Sequence, residues 1–428
     1  MARRNSLNRI VGGVALSTLL LLSACDKDAL TPPTASNVPA ELQDVFTRYV
    51  AIGNSITAGM QGFGISDATQ LQAYPVLLAQ QLGLDVPTLA NPVTKEFNVP
   101  LLQGPGCPPP IINIFTQERI GGADQTTCLY RTEPIPEFIN NLAFPGADVA
   151  ETFDYYDPAV AGSFTDVFKT FLLGGRTQLE IATELEPTFI TVWIGSGDAL
   201  NAIQDQADPG NASIYPDAAQ FAAWYSELMD GLDAIGSILG GVLIGAVQVG
   251  GAPYVSVGGA YFQAAQQIPT LTVDANCLAT APIPGSAQTA SVLVPFHYGA
   301  VLMGQAAAGI PTTLDCSVPQ VITATEAAAL IATIAQYNAV IEQAADDLGW
   351  IYVDPNELLL QLAQDPTAIR PFPAFSDLDP QHLTAPFGWA LSTDGLHPSA
   401  SAQVLVANAL IAAINAEYGT TIDLIATQ

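Results

Sequence analysis

Ser55, Asp394 and His397 are the residue types that together can activate a nucleophile. A serine hydroxyl is inert at neutral pH unless a base lies within hydrogen-bond reach, and the base needs a third group to orient it. The chain has three histidines, His297, His382 and His397. His397 lies in Ser392-Thr393-Asp394-Gly395-Leu396-His397-Pro398, three residues after an aspartate, so one loop supplies both base and orienting carboxylate. Ser55 lies in Tyr49-Val50-Ala51-Ile52-Gly53-Asn54-Ser55-Ile56-Thr57. An apolar β-type run that breaks at Gly-Asn presents the next side chain at the C-terminal edge of a sheet, where open α/β sheets bind ligands. The chemistry this predicts is acyl transfer to water. Ser55 attacks an ester carbonyl, His397 relays the proton and Asp394 holds the imidazole. His297 and His382 read as loop or core residues.

These residues resemble the SGNH/GDSL hydrolase family of esterases and lipases. Gly53-Asn54-Ser55-Ile56-Thr57 is similar to its first block, Gly-Asp-Ser-Leu in the eponymous form. Asp394-Gly395-Leu396-His397-Pro398 is similar to the last block, Asp-x-x-His-Pro, and Asn141-Leu142-Ala143-Phe144-Pro145-Gly146-Ala147 to the second. The resemblance implies a flavodoxin-like three-layer α/β/α fold. It also implies an oxyanion hole built on the backbone N–H groups of Ser55 and Gly146. The third block, Gly-x-Asn-Asp in the family, reads Gly195-Ser196-Gly197-Asp198 here. Gly197 stands at the position of the oxyanion-hole asparagine, and the side-chain donor is absent. Ser196 or a loop residue could take that role, the enzyme could be slow or confined to activated esters, or the site could bind without turnover. The α/β-hydrolase fold also runs Ser, Asp, His in chain order. Its Gly-x-Ser-x-Gly elbow conflicts with Thr57, and its acid and base lie far apart.

The elements that must position these residues alternate between strand and helix. Apolar runs at Val45–Ile52, Thr188–Ile194, Val242–Val249 and Trp350–Val353 read as strands. The continuous β-branched character of the second fits a strand covered on both faces. Helices are expected from about Leu71 to Leu82, up to about Leu185 after an apolar stretch at Phe164–Leu173, from Pro216, over Thr323–Leu348 and over Ala400–Tyr418. Phe221, Trp224, Leu228, Leu232 and Ile235 mark one buried face, and Leu330, Ile334, Tyr337, Ile341 and Leu348 another. This alternation argues for an α/β domain with a parallel sheet and right-handed crossovers. The domain spans 41–428, interrupted by a long irregular insertion at about 86–136 and by a second insertion, rich in Gly, Ala, Pro and Thr, at about 250–322, each holding one cysteine pair.

The N-terminus reads as a targeting segment, with Arg3, Arg4 and Arg9 ahead of a 13-residue apolar run, Ile10–Leu22. That run falls short of the ~20 residues of a membrane-spanning helix. Leu22-Ser23-Ala24-Cys25 resembles a bacterial lipobox, which implies a signal peptide over 1–25, lipidation of Cys25 and a lipoprotein of the cell envelope held on a membrane. Residues 26–40, rich in Pro, Ser and Thr, read as a flexible tether. Without residues 1–25 the chain has 8 basic against 40 acidic residues, a net charge of −32. Such a field argues against nucleic acid as a partner. The remaining Cys107, Cys128, Cys277 and Cys316 suit two disulfides in an exported protein. Sequence proximity favours Cys107–Cys128 and Cys277–Cys316 among three open pairings. No spacing suits zinc, and the chemistry calls for no metal or organic cofactor.

The expected function is therefore a secreted, lipid-anchored serine esterase or lipase acting on a lipid, an acylated glycan or a small ester. The competing reading is a catalytically weak or inactive envelope binding lipoprotein on the same fold.

Overall fold

Four short segments dense in apolar and β-branched residues form the central sheet of the computed structural model, which describes residues 38–124, 131–154, 164–372 and 385–427. They are β1 (Tyr49–Gly53), β2 (Phe189–Trp193), β3 (Gly240–Ile244) and β4 (Ile351–Val353). The four pair in parallel, in the order β1-β2-β3-β4. A fifth segment reaches the outer edge of β1. Ala51 N–H donates to Asn140 O, Leu142 N–H donates to Ala51 O, and Asn141 makes a parallel bridge to Ala51. Counted along the chain, the order becomes 2-1-3-4-5, that of flavodoxin-like sheets. The strand order reverses between β1 and β2. A crevice at the carboxyl ends of those two strands is where such a sheet binds its ligand.

Side chains alternate across the sheet, so each strand feeds two cores. Val50, Ile52, Ile190 and Val192 pack with Phe221, Tyr225, Leu330, Ile334 and Tyr337 of the Ala218–Asp233 and Ala324–Leu348 helices. On the other face Tyr49, Ala51, Phe189 and Trp193 pack with Tyr74, Leu78, Leu410 and Ile414 of the Tyr74–Gln81 and Ala400–Tyr418 helices. All five residues of each of β1, β2 and β3 are buried, as a strand with helices on both faces requires. The architecture is three-layered, α/β/α.

Several boundaries differ from the sequence reading. The first strand was expected over Val45–Ile52, but Ala40–Phe46 is a 3-10 helix whose Val45 and Phe46 are buried, and β1 begins at Tyr49. Buried apolar residues in a short run do not by themselves distinguish a helical turn from a strand. The expected Leu71–Leu82 helix is two helices, Asp67–Leu71 and Tyr74–Gln81. Pro75 supplies no N–H and favours the first turn of a new helix, and Ala73 is extended ahead of it. The strand expected over Val242–Val249 is β3, which stops at Ile244. Gly245 N–H still donates to Val353 O, and Ala246–Val247 then turns toward Ser196.

The second insertion has its own secondary structure. Val255–Val257 pairs antiparallel with Leu293–Pro295, and Leu271–Val273 pairs parallel with Thr312–Leu314. Cys277 and Cys316 form the expected disulfide, with their Cα atoms 5.1 Å apart. Cys107 is buried and disulfide-bonded. Its expected partner Cys128 lies outside the described residues, as do His382, Cys25 and the signal-peptide segment.

Candidate active site

The turn after β1 is built around a glycine with no space for a side chain. A Cβ on Gly53 would sit 2.2 Å from Thr57 Oγ1 and 2.9 Å from the Trp193 carbonyl. Gln178, fully buried, clamps this glycine from both sides, accepting from Gly53 N–H at 2.8 Å and donating to Gly53 O at 3.0 Å. The chain then enters the short Ser55–Ala58 helix, capped by Asn54, whose Oδ1 accepts from Ile56 N–H at 3.3 Å. Gln403 of the closing helix donates to Ile56 O and accepts from Tyr74 N–H. Ser55 is thus held by the first strand, by Gln178 from the middle of the chain and by Gln403 of the closing helix.

The last block approaches Ser55 from the far end of the sequence. His397 Nε2 lies 2.9 Å from Ser55 Oγ, and His397 Nδ1 lies 2.7 Å from Asp394 Oδ2. The three residues are buried, Ser55 at 7%, His397 at 3% and Asp394 at 0% exposure. Asp394 accepts two further backbone donors from its own turn, Leu396 N–H and His397 N–H, each at 2.9 Å on Oδ1. A third comes from Phe63 N–H, 2.8 Å from Oδ2. Burial pushes this carboxyl up, but the His397 ring and the backbone donors outweigh it and hold the pKa down at about 2. Asp394 is therefore an anion with every lone pair aimed at a donor. With the carboxylate fixed, Nδ1 carries the proton and Nε2 faces the serine as acceptor.

Phe63 was not singled out in the sequence. Its φ is +46°, in the left-handed region, at a turn closed by mutual hydrogen bonds between Gln61 and Gly64. This backbone turns the Phe63 N–H onto Asp394, and the ring sits edge-on to His397 with centroids 6.1 Å apart. A non-glycine residue at positive φ can be seen in a structure but not in a sequence. Gln178 and Gln403 were missed for a related reason. Buried glutamines that bind backbone have no periodicity to give them away.

The Asn141–Ala147 block lies beside the Gly195–Asp198 block. Asn141 Nδ2 donates to Thr57 O, which ties the block to the Ser55 helix. Gly146 has φ +85°, a conformation that favours glycine, and its N–H donates to no acceptor among the described residues. Gly197 lies in the first turn of the Ser196–Gln204 helix, an element not anticipated from the sequence. A Cβ on Gly197 would stand 2.3 Å from the Ala147 carbonyl oxygen. Asparagine is therefore not merely missing at this position, because the second block closes the space it would need. Ser196 Oγ accepts from Val247 N–H at 3.0 Å and faces the same cavity as Ser55.

That cavity, about 40 Å³, lies at the carboxyl end of the sheet and is lined by Asn54, Ser55, His397 and Ser196 together with apolar Leu200, Ile203, Val247 and Ala252. His297 is not part of it. Its Nδ1 lies 3.1 Å from Tyr254 Oη, and burial pushes its pKa down. Among the described residues no group of three or more His, Cys, Asp or Glu side chains is arranged to hold a metal.

No family model matches the chain, and no curated protein matches it. Similar solved structures are esterases and lipases. An acetylxylan esterase from Geobacillus stearothermophilus is 13% identical, covering 89% of this chain and 97% of its own, with a TM-score of 0.35. A lipase/acylhydrolase from Enterococcus faecalis is 12% identical, covering 88% and 99%, with a TM-score of 0.34. A GDSL-like lipase from Parabacteroides merdae is 10% identical, covering 86% and 95%, with a TM-score of 0.34. Likeness at this level carries no argument about mechanism, which must come from the chain's own side chains.

Asp198, also in the third block, is buried at 2% exposure and accepts from Val149 N–H with both oxygens, at 3.2 and 3.4 Å. It fastens the loop that carries Gly146. Burial first, and the neighbouring Asp148 carboxylate second, push its pKa well above the ordinary range. A carboxyl whose folded pKa is raised costs stability as pH climbs past its unfolded pKa of about 3.9. Asp198→Asn keeps an oxygen for Val149 N–H and removes the charge. Its melting temperature should exceed that of the wild type at about pH 8 and converge with it near pH 4, as read by thermal unfolding across that range.

Proposed function

We propose that the protein is a carboxylic ester hydrolase with Ser55 as nucleophile, His397 as general base and acid, and Asp394 as the orienting anion. The observation that carries this reading is the continuous hydrogen-bonded chain from Ser55 to His397 to Asp394, joining residues 342 positions apart at 2.9 Å. In the first half-reaction Ser55 Oγ bonds to the ester carbonyl carbon while His397 Nε2 takes the hydroxyl proton. The carbonyl π pair moves onto oxygen. Collapse of the tetrahedral intermediate breaks the bond to the alcohol, which leaves with the proton from His397. Water then repeats the sequence on the acyl-serine, releasing the carboxylic acid and restoring Ser55. Developing negative charge on the carbonyl oxygen is met by the N–H groups of Ser55 and Gly146.

The acyl group favoured is short. The cavity beside Ser55 is small, about 40 Å³, and narrowed by Ile56, Leu200, Ile203 and Val247, which suits an acetyl or propionyl group. Hydrolysis of p-nitrophenyl acetate, butyrate, octanoate and palmitate by detergent-solubilised full-length protein tests this. Turnover of acetate at least about tenfold faster than octanoate is expected, since overfilling a packed site by a few methylenes costs about 1–3 kcal/mol. Faster turnover of palmitate contradicts it.

The second reading, a binding protein without turnover, is favoured by one observation, the absent side chain at Gly197. Absence of turnover across the ester series, in folded protein, would establish it. In either reading the chain is exported and anchored through lipidated Cys25 to a membrane of the bacterial envelope, on the periplasmic side or at the cell surface. The arginines, the apolar run and Leu22-Ser23-Ala24-Cys25 support that placement. No nucleic-acid partner is proposed.

A further inference from the structure

We infer that Asn54 is the side-chain oxyanion donor of this site, taking the role that Gly197 leaves empty. The inference rests on the ester-hydrolase reading and adds a catalytic residue to it.

The cap geometry orients the Asn54 amide. Its Oδ1 accepts from Ile56 N–H at 3.3 Å, so Nδ2 lies on the other side of the group. Asn54 is 97% buried, with 3% exposure, and Nδ2 donates to no protein group among the described residues. Nδ2 is not one of the buried polar atoms left without a partner, so this donor opens to the cavity rather than being sealed in the core. The residue lines the cavity that holds Ser55 Oγ and His397, so a ligand atom there can reach the free donor.

The second observation comes from Gly197. The point where its Cβ would stand is 3.8 Å from Asn54 Nδ2. The amide therefore occupies the neighbourhood into which an asparagine at 197 would project. The Ala147 carbonyl, 2.3 Å from the same point, bars that asparagine. The two facts fit together. The second block has closed in on position 197, and the donor now comes from the residue before the nucleophile. Ser196 is the less suitable candidate: its Oγ accepts from Val247 N–H and keeps its own O–H, but no contact fixes where that proton points, whereas the cap fixes the Asn54 amide. In the tetrahedral intermediate the carbonyl oxygen, carrying the displaced π pair, receives Asn54 Nδ2–H together with the two backbone N–H groups. No proton is transferred by Asn54, and no bond to it is made.

Two variants separate the donor from the cap. Asn54→Asp keeps an oxygen for Ile56 N–H and removes the N–H₂. Asn54→Ser also caps a helix, and it adds no charge. For both, kcat on p-nitrophenyl acetate should fall about 10²–10³-fold, the loss seen when one oxyanion donor is removed. KM should stay within about threefold and the unfolding midpoint close to wild type, because the interaction exists only in the transition state. If either folded variant retains kcat within about threefold of wild type, the assignment is overturned while the ester-hydrolase reading stands. A parallel fall in kcat and unfolding midpoint in both variants overturns it in favour of a purely structural cap. Wild-type protein that turns over no ester overturns both readings.

Discussion

Replacing His397 by alanine is expected to lower kcat on p-nitrophenyl acetate by about 10⁶-fold, close to the loss from Ser55→Ala and from the double variant. Among the described residues Ser55 has no second base. Its Oγ contacts His397 Nε2 at 2.9 Å, and His297 is held instead by Tyr254. Residues that act as one unit do not add, so the double variant should be no worse than either single one. The comparison is made by steady-state kinetics on all three proteins. Multiplying losses would mean that serine and histidine act in separate steps, contrary to the mechanism proposed. The folded state should tolerate His397→Ala poorly enough to be worth monitoring, because the change leaves one face of the buried Asp394 carboxylate unpaired. Ser55→Ala, which removes a single hydroxyl, controls for that.

Asp394→Asn should lower kcat by about 10⁴-fold. The substitution keeps the shape and leaves Leu396 and His397 N–H an oxygen to donate to. At Oδ2, however, an amide N–H₂ would meet two donors, Phe63 N–H and His397 Nδ1–H. The imidazole relieves the conflict by moving its proton to Nε2, and Ser55 then faces a donor where it needs an acceptor. The same carboxyl carries a stability signature of definite sign. Its folded pKa of about 2 is below the unfolded value, so its contribution is present above about pH 4 and is lost as pH falls through about 2. The shift corresponds to a stabilisation on the order of 2 kcal/mol. Denaturant unfolding from about pH 5 down to 2 should show a smaller loss in Asp394→Asn than in the wild type. An equal loss in both would mean that the anion is not held as described.

Much of this site was legible because its chemistry is carried by motifs in short stretches. Gly53-Asn54-Ser55 ends an apolar run, and the strand in that run stops at Gly53, at the edge of the sheet. Asp394 and His397 share a turn, so their pairing needs no long-range information. The parallel sheet followed from strand–helix alternation, and the buried faces of the Ala218–Asp233 and Ala324–Leu348 helices followed from spacing. What escaped the sequence was set by contacts between distant segments. The closure of position 197 depends on where the Ala147 carbonyl falls, and the free amide of Asn54 depends on its cap. The Phe63 N–H reaches Asp394 only through a left-handed residue. The Ser196–Gln204 helix was missed because its start, Gly195-Ser196-Gly197, reads locally as a loop. Its helical state is imposed from outside, by a buried Asp198 and by Val247 N–H on Ser196.

The central claim is that Ser55 is an activated nucleophile, and covalent trapping tests it most directly. Detergent-solubilised full-length protein would be treated with a fluorophosphonate at neutral pH, and the adduct located by peptide mass spectrometry. One equivalent of label on Ser55, lost in both Ser55→Ala and His397→Ala, is the predicted result. Folded protein that stays unlabelled, or label on Ser55 that persists in His397→Ala, would contradict the account.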